Sequence, residues 1–302
     1  MKKKIDIEYL KEGDLVAIAF IAKYLNKEMC QFAVKYFKEQ GFNVLNINDS
    51  YLQRNGMFSG SDLDRINHFQ NLLDNRKLKA IFFARGGYGS VRIIDSLNFD
   101  NFFNYPKWLI GFSDVTTFIS HLNVHHQVPV VHGPMIFNFQ ESSKTSLSML
   151  FSGLKGKHKV IKIPSHNLNR EGEVESQIIG GNLSILCSLL GSKSFPSLEN
   201  KILFIEDVDE YMYSIDRMLF SLKRANVFSK LSGLIVGQFT RISDNKPKFG
   251  YTFEELINAQ VKGYSFPVCF NFPSGHVKNN LPIFFQKKVF FKVGNEVKLE
   301  YK

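Results

Sequence analysis

Residues 80–90 read AIFFARGGYGS, and residues 108–118 read WLIGFSDVTTF. Each opens as an unbroken apolar run and breaks off in small, turn-forming residues. A strand that is apolar throughout is one covered on both faces, as in a parallel sheet. Glycines at the carboxyl end of such a strand let backbone N–H groups come close to a ligand. The two corners therefore predict an open α/β sheet with a site along its carboxyl edge.

The flanking sequence extends the pattern in both directions. Leu15 to Phe20 is another continuous apolar run. Residues 27–40 place Met29, Phe32, Ala33, Tyr36 and Phe37 at helical spacing, and Gly41 stops them. A strand is expected from Phe42 to Ile47. Residues 61–76 begin at a capping Ser or Asp and line up Leu63, Ile66, Phe69, Leu72 and Leu73. Helices are predicted near 90–97 and 115–125, and a strand at Pro129–His132. Short connections between alternating strands and helices favour a mostly parallel sheet.

The second half differs. Residues 141–170 are rich in Ser, Lys, Asn and Gly. They suggest a boundary, giving domains at 1–145 and 173–302 with a linker at 146–172. Beyond it, strands are expected at 178–182, 202–205 and 234–237, and helices at 182–191, 214–225 and 252–262. The tail from Pro282 to Tyr301 alternates as strands, with a hairpin signal at Gly294-Asn295-Glu296.

Composition narrows the class. The chain has 302 residues, 44% hydrophobic and 22% charged, which excludes a disordered polymer. Its net charge is +10, yet the lysines are scattered, with short runs only at Lys2-Lys3-Lys4 and Lys287-Lys288. That balance suits an acidic small substrate, and nucleic acid is not the expected partner. Cys30, Cys187 and Cys269 lie far apart without metal-ligand spacing, so free thiols in a reducing compartment are expected. Asp6, Glu8, Lys11, Glu12 and Asp14 interrupt any signal-peptide core. No window holds 18 uncharged apolar residues, so no membrane span is expected and the cytoplasm is the default location.

Ser113 follows a strand and precedes a helix, the setting of an exposed nucleophile with a helix N-terminus facing a developing oxyanion. Ser113 or Asp114 serving simply as a helix cap is the plainer alternative. The loop Arg85-Gly86-Gly87 could cradle a phosphate, an oxyanion or a carboxylate, and no Walker lysine follows it. A serine nucleophile needs a base and an orienting acid. His132 at a strand end and His276 in the loop Pro273–Asn280 are candidates for the base. Glu206, after four apolar residues, is a candidate for the acid.

Taken in order, ARGGYGSVRII, IGFSDVTTF, HGPM, GGNLSIL, FIEDVDEYMYSIDRML, GLIVGQF and PSGHVKNN closely resemble the LD-carboxypeptidase family of serine peptidases, whose other branch is the microcin-immunity peptidases. The resemblance spans about residues 13–290. It implies a flavodoxin/Rossmann-like N-terminal α/β domain, a smaller C-terminal α/β domain, and a site in the cleft between them. It implies Ser113 as nucleophile, His276 as general base and Glu206 as its orienting partner. The oxyanion hole would be backbone N–H groups of Asp114 and of Gly86 or Gly87. Arg85 is the candidate for holding a substrate carboxylate, with a structural salt bridge as its alternative. The implied activity is release of terminal D-alanine from murein tetrapeptides in cell-wall recycling, by a homodimer that needs no metal or organic cofactor. The alternatives are cleavage of aminoacyl-nucleotide amides, as in the immunity branch, and non-catalytic binding of peptides or nucleotides. Two local departures stand out. The first strand runs into Phe20-Ile21-Ala22-Lys23 where the family usually has an Ala-Pro-Ser-like turn, and Val277 follows His276 where the family usually has Gly.

Overall fold

Two large sheets divide the chain in the computed structural model, which describes residues 3–302; Met1 and the first residue of the N-terminal lysine run, Lys2, lie outside the described residues. The first sheet runs, edge to edge, Asn43–Val44, Leu15–Ala19, Leu78–Phe83, Trp108–Ile110, Val130–His132 and Ile283–Phe285. The first five are parallel. Their chain order across the sheet is 2-1-3-4-5, the flavodoxin-like order, in which ligands gather at the carboxyl edge. Leu78–Phe83 is buried apart from the partly exposed Lys79, as expected of a strand covered on both faces.

The second sheet runs Ile161–Pro164, Glu296–Tyr301, Lys288–Val293, Gly172–Asn182, Lys201–Val208, Leu231–Thr240 and Val268–Cys269. Its centre is the long strand Gly172–Asn182. Residues 172–177 pair antiparallel with Lys288–Val293, and residues 178–182 pair parallel with 202–206. One half is thus a hairpin meander, and the other is a parallel α/β layer with helices Leu183–Ser188, Met212–Arg224 and Phe253–Val261.

Three details depart from the sequence reading. The stretch 146–172 holds most of helix Lys144–Leu154 and the edge strand Ile161–Pro164. Its serines mask a helical apolar face: Leu147, Leu150, Phe151 and Leu154 all join the first core. Ile283–Phe285 leaves the second half and closes the first sheet, pairing antiparallel with Val130–His132. The strand expected from Phe42 to Ile47 keeps only Asn43–Val44, at an edge.

The abundance of Phe has a structural account. Phe37, Phe82, Phe139 and Phe151 pack ring to ring, with the Phe37–Phe82 centroids 4.6 Å apart and Phe82–Phe151 5.9 Å apart. They fill the layer between the first sheet and helices Lys27–Glu39 and Lys144–Leu154. Lys107 is fully buried, yet its ammonium caps the end of helix Asp62–Asp74, donating to Leu73 O at 2.8 Å and Asn75 O at 2.7 Å. Burial lowers its pKa to about 8. All three cysteines are free, and burial pushes the Cys30 thiol up to about 11. Among the described residues no helix is long and apolar enough to cross a membrane.

Phe82→Ala should destabilise the protein by about 3–5 kcal/mol, because a buried aromatic leaves a cavity that stiff neighbours cannot fill. Phe220→Ala, on the exposed face of helix Met212–Arg224, should change stability by less than about 0.5 kcal/mol. Denaturant unfolding of the two variants measures both.

Candidate active site

Ser113 has φ 63°, a left-handed conformation that L-residues adopt at a cost of about 1–2 kcal/mol. The neighbours impose it. Phe112 is fully extended before it, and Asp114, directly after it, is buried. Gly111 lies so close to Phe83 that a Cβ would stand 2.9 Å from the ring. The chain therefore turns sharply at Ser113 before helix Thr116–His125, leaving the serine half-buried at the sheet edge.

The glycine loop lies beside this corner. A Cβ on Gly86 would stand 3.4 Å from both Asp114 N and Ser113 Cβ. Asp114 secures the pair: its Oδ2 accepts from Ser90 N at 2.9 Å and from Ser90 Oγ at 2.8 Å. Burial raises the Asp114 pKa, and the Ser90 bonds and Arg65 oppose that rise. Gly87, at φ 98°, lies under the methylenes of Lys23, where a Cβ would come within 2.6 Å of Lys23 Cδ. Arg65 is buried and donates to Ile21 O at 2.7 Å and Gly89 O at 3.2 Å. It thereby joins the first-strand turn to the glycine loop. Arg85 donates to Tyr24 O at 3.4 Å and stacks 4.1 Å over the Phe137 ring. Burial lowers its pKa, and no ion pair with a carboxylate is formed among the described residues.

The second domain supplies the candidate acid and base. His276 Nδ1 lies 2.7 Å from Oε2 of Glu206, which is wholly buried. A carboxylate only accepts, so Nδ1 carries the proton and Nε2 is left as the basic nitrogen. Burial disfavours the charged imidazole, but attraction to Glu206, their hydrogen bond and nearby Asp207 outweigh it and raise the His276 pKa. Asp207 accepts from Asn182 Nδ2 at 2.8 Å and Ser184 N at 2.9 Å. Burial, with repulsion from Glu206, pushes it up to about 7. Gly275, at φ 135°, leaves room for the acid: a Cβ there would stand 3.1 Å from Glu206 Oε2.

The two domains are braced around this point. The Phe112 and His276 ring centroids are 4.7 Å apart, which sets the imidazole beside the Ser113 corner. Asn182 N donates to Thr116 Oγ1 at 3.1 Å, linking the acid's sheet to the serine's helix. Ser143, the cap of helix Lys144–Leu154, donates from N to Lys278 O at 2.8 Å and from Oγ to Asn279 Oδ1 at 2.6 Å. Within the loop, Asn280 Oδ1 accepts from Gly275 N at 3.0 Å. Among the described residues, Ser113 Oγ makes no hydrogen bond to the imidazole; such bonds often tighten only when substrate binds. Lys23, Arg65, Thr116, Asn182 and Asp207 escaped the sequence reading. The GGN and ED motifs carried a signal for the last two, and Lys23 and Arg65 carried none. A groove of about 750 Å³ between helix Lys27–Glu39 and the edge strand Asn43–Val44 holds none of these residues. Among the described residues no cluster of three or more His, Cys, Asp or Glu could hold a metal ion.

Known proteins resemble this chain along most of its length. Residues 14–133 match the LD-carboxypeptidase N-terminal domain, and residues 175–290 match the LD-carboxypeptidase C-terminal domain. The chain is 27% identical over 282 residues to the probable murein peptide carboxypeptidase of Bacillus subtilis (strain 168), covering 91% of this chain and 87% of that one. It is 26% identical to the microcin C7 self-immunity protein MccF of Escherichia coli, over 72% of each chain. The crystal structure of muramoyltetrapeptide carboxypeptidase from Oxalobacter formigenes superposes with a TM-score of 0.86 at 26% identity, covering 95% of this chain and 98% of that one.

NMR titration of histidine-labelled protein should show His276 protonating above the ordinary imidazole value of about 6.5. In Glu206→Gln the burial penalty is no longer outweighed, and His276 should titrate below that value. An unchanged His276 titration would contradict the assigned pairing.

Proposed function

The chain belongs to the LD-carboxypeptidase family, and we propose that it is a serine carboxypeptidase releasing terminal D-alanine from murein tetrapeptides. The observation that carries this reading is the 2.7 Å Glu206–His276 hydrogen bond, set beside the left-handed Ser113 corner. The family is one of peptidases, and relatives named as murein peptide carboxypeptidases support the peptide substrate.

In the proposed reaction His276 Nε2 takes the proton from Ser113 Oγ as that oxygen attacks the scissile carbonyl. The charge that develops on the carbonyl oxygen meets backbone N–H groups of Asp114 and of Gly86 or Gly87. Losing one such donor typically costs about 3–4 kcal/mol of transition-state stabilisation. The imidazolium returns its proton to the departing amine of D-alanine. Water, activated by the same imidazole, then releases the acyl group from Ser113. Glu206 holds the ring in the required tautomer. The leaving residue carries a free carboxylate, and Arg85 is our candidate for holding it. Lys23, across Gly87, adds a second cation beside the loop. No metal or organic cofactor enters this chemistry. A homodimer acting in the cytoplasm completes the proposal, and sedimentation would give the stoichiometry.

The microcin relative and the exposed rings of Tyr88 and Tyr211, beside two of the site loops, favour a second reading. Here the same serine chemistry cleaves an aminoacyl-nucleotide amide, with a base stacked on an aromatic ring.

Mass spectrometry of products from a panel of tetra- and pentapeptides and an aminoacyl-sulfamoyl nucleoside separates these readings. D-alanine release from the tetrapeptide is expected, falling at least about ten-thousand-fold in Ser113→Ala. Faster cleavage of the nucleoside amide would transfer the assignment to the second reading. Undiminished release by Ser113→Ala would reject the nucleophile.

A further inference from the structure

His132 ends the strand Val130–His132 on the sheet edge that bears Ser113, and the reaction above gives it no task. It is wholly buried, and neither ring nitrogen has a hydrogen-bond partner among the described residues. Buried polar groups are nearly always satisfied. Its surroundings are aromatic: Phe112, Phe204 and Phe285 lie at centroid distances of 5.5, 4.8 and 6.0 Å. None of these rings offers a strong donor or acceptor.

A second buried atom is in the same condition. Oε1 of Glu206 has no partner among the described residues, while Oε2 holds His276. Phe204 and Glu206 stand two positions apart on strand Lys201–Val208, so both side chains point to the same face. The His132 ring packs against Phe204 on that face. The charged groups acting on His132 are Glu206 and His276. Those acting on His276 are Glu206, Asp207 and Arg241. Burial pushes the His132 imidazole down to about 4, so at neutral pH it is uncharged and keeps one N–H.

We infer that His132 is a positioning residue for the catalytic pair, its neutral ring donating to a bridging water that in turn donates to Oε1 of Glu206, while Oε2 orients His276. The inference rests on the serine-hydrolase reading above and deepens it. A donor to a carboxylate favours the ionised form. Removing it raises the affinity of the coupled Glu206–His276 pair for its next proton, whichever partner takes that proton. The acidic limb of reactivity then moves to higher pH.

The test is the pH dependence of Ser113 labelling by a fluorophosphonate in wild type, His132→Phe and His132→Gln. Phe fills the aromatic cage without a donor, whereas Gln keeps an N–H donor and sacrifices ring packing. The inference expects Phe to shift the acidic limb upward by about one pH unit and Gln to stay near wild type. A purely structural role predicts the reverse and overturns it: Phe superimposes on wild type, and Gln loses labelling at every pH. If His132→Phe does not fold, NMR of the wild-type histidines decides. A single neutral His132 tautomer with a slowly exchanging N–H supports the inference, and a charged or freely exchanging ring at pH 6 overturns it. Labelling needs no murein peptide. A wild-type protein that is labelled at Ser113 but releases no D-alanine would sink the substrate assignment alone, and one that is never labelled would remove both.

Discussion

The hydrogen bond between Glu206 and His276 is the interaction on which the rest of the site depends. It is made at 2.7 Å by a carboxylate with no solvent exposure. A buried carboxylate must find partners, and a charge-assisted bond to an imidazole is among the stronger ones available. The bond also sets direction. With Nδ1 committed to Glu206, only Nε2 is free to accept a proton. Much of the local structure then follows as accommodation. Gly275 stands at φ 135°, a conformation that L side chains rarely adopt, with a Cβ there only 3.1 Å from the carboxylate, and the Pro273–Asn280 loop is held by Asn280 from within.

That bond lies wholly within the second domain, whereas the serine lies in the first, so the two sheets must be held in register. Contacts from several elements do this. Ile283–Phe285 crosses from the second half to close the first sheet. Asn182 bonds to Thr116, one turn beyond the serine. Ser143 bonds to the histidine loop. Each is short, and each starts from a residue whose partner lies far away in sequence. A catalytic constellation needs its members held within a fraction of an ångström.

The sheet architecture was legible in the sequence where local pattern and tertiary role agree. Ala80 to Ala84 is apolar throughout because both faces of that strand are covered, and the Arg85–Gly89 corner advertises its turn. The proposed triad positions stand out only through ordered motifs, since a lone Ser, His or Glu is also a cap or a surface residue. Helix Lys144–Leu154 was hidden because its serines read as a linker, though Ser146 is itself buried and hydrogen-bonded to the histidine loop. Arg65 was illegible for a deeper reason. Its partners are the backbone carbonyls of Ile21 and Gly89, and a carbonyl leaves no trace in residue identity. Lys23 carries no signal either; its place over Gly87 depends on how two loops approach each other.

The most direct measurement is a crystal structure of the protein after inactivation by a peptidyl phosphonate. The account predicts phosphorus bonded to Ser113 Oγ, His276 Nε2 within hydrogen-bonding distance of the adduct, and the phosphoryl oxygen facing the backbone N–H groups of Asp114 and the Gly86-Gly87 loop. An adduct on any other residue, or an imidazole turned away from it with Glu206 unbonded, would contradict the account.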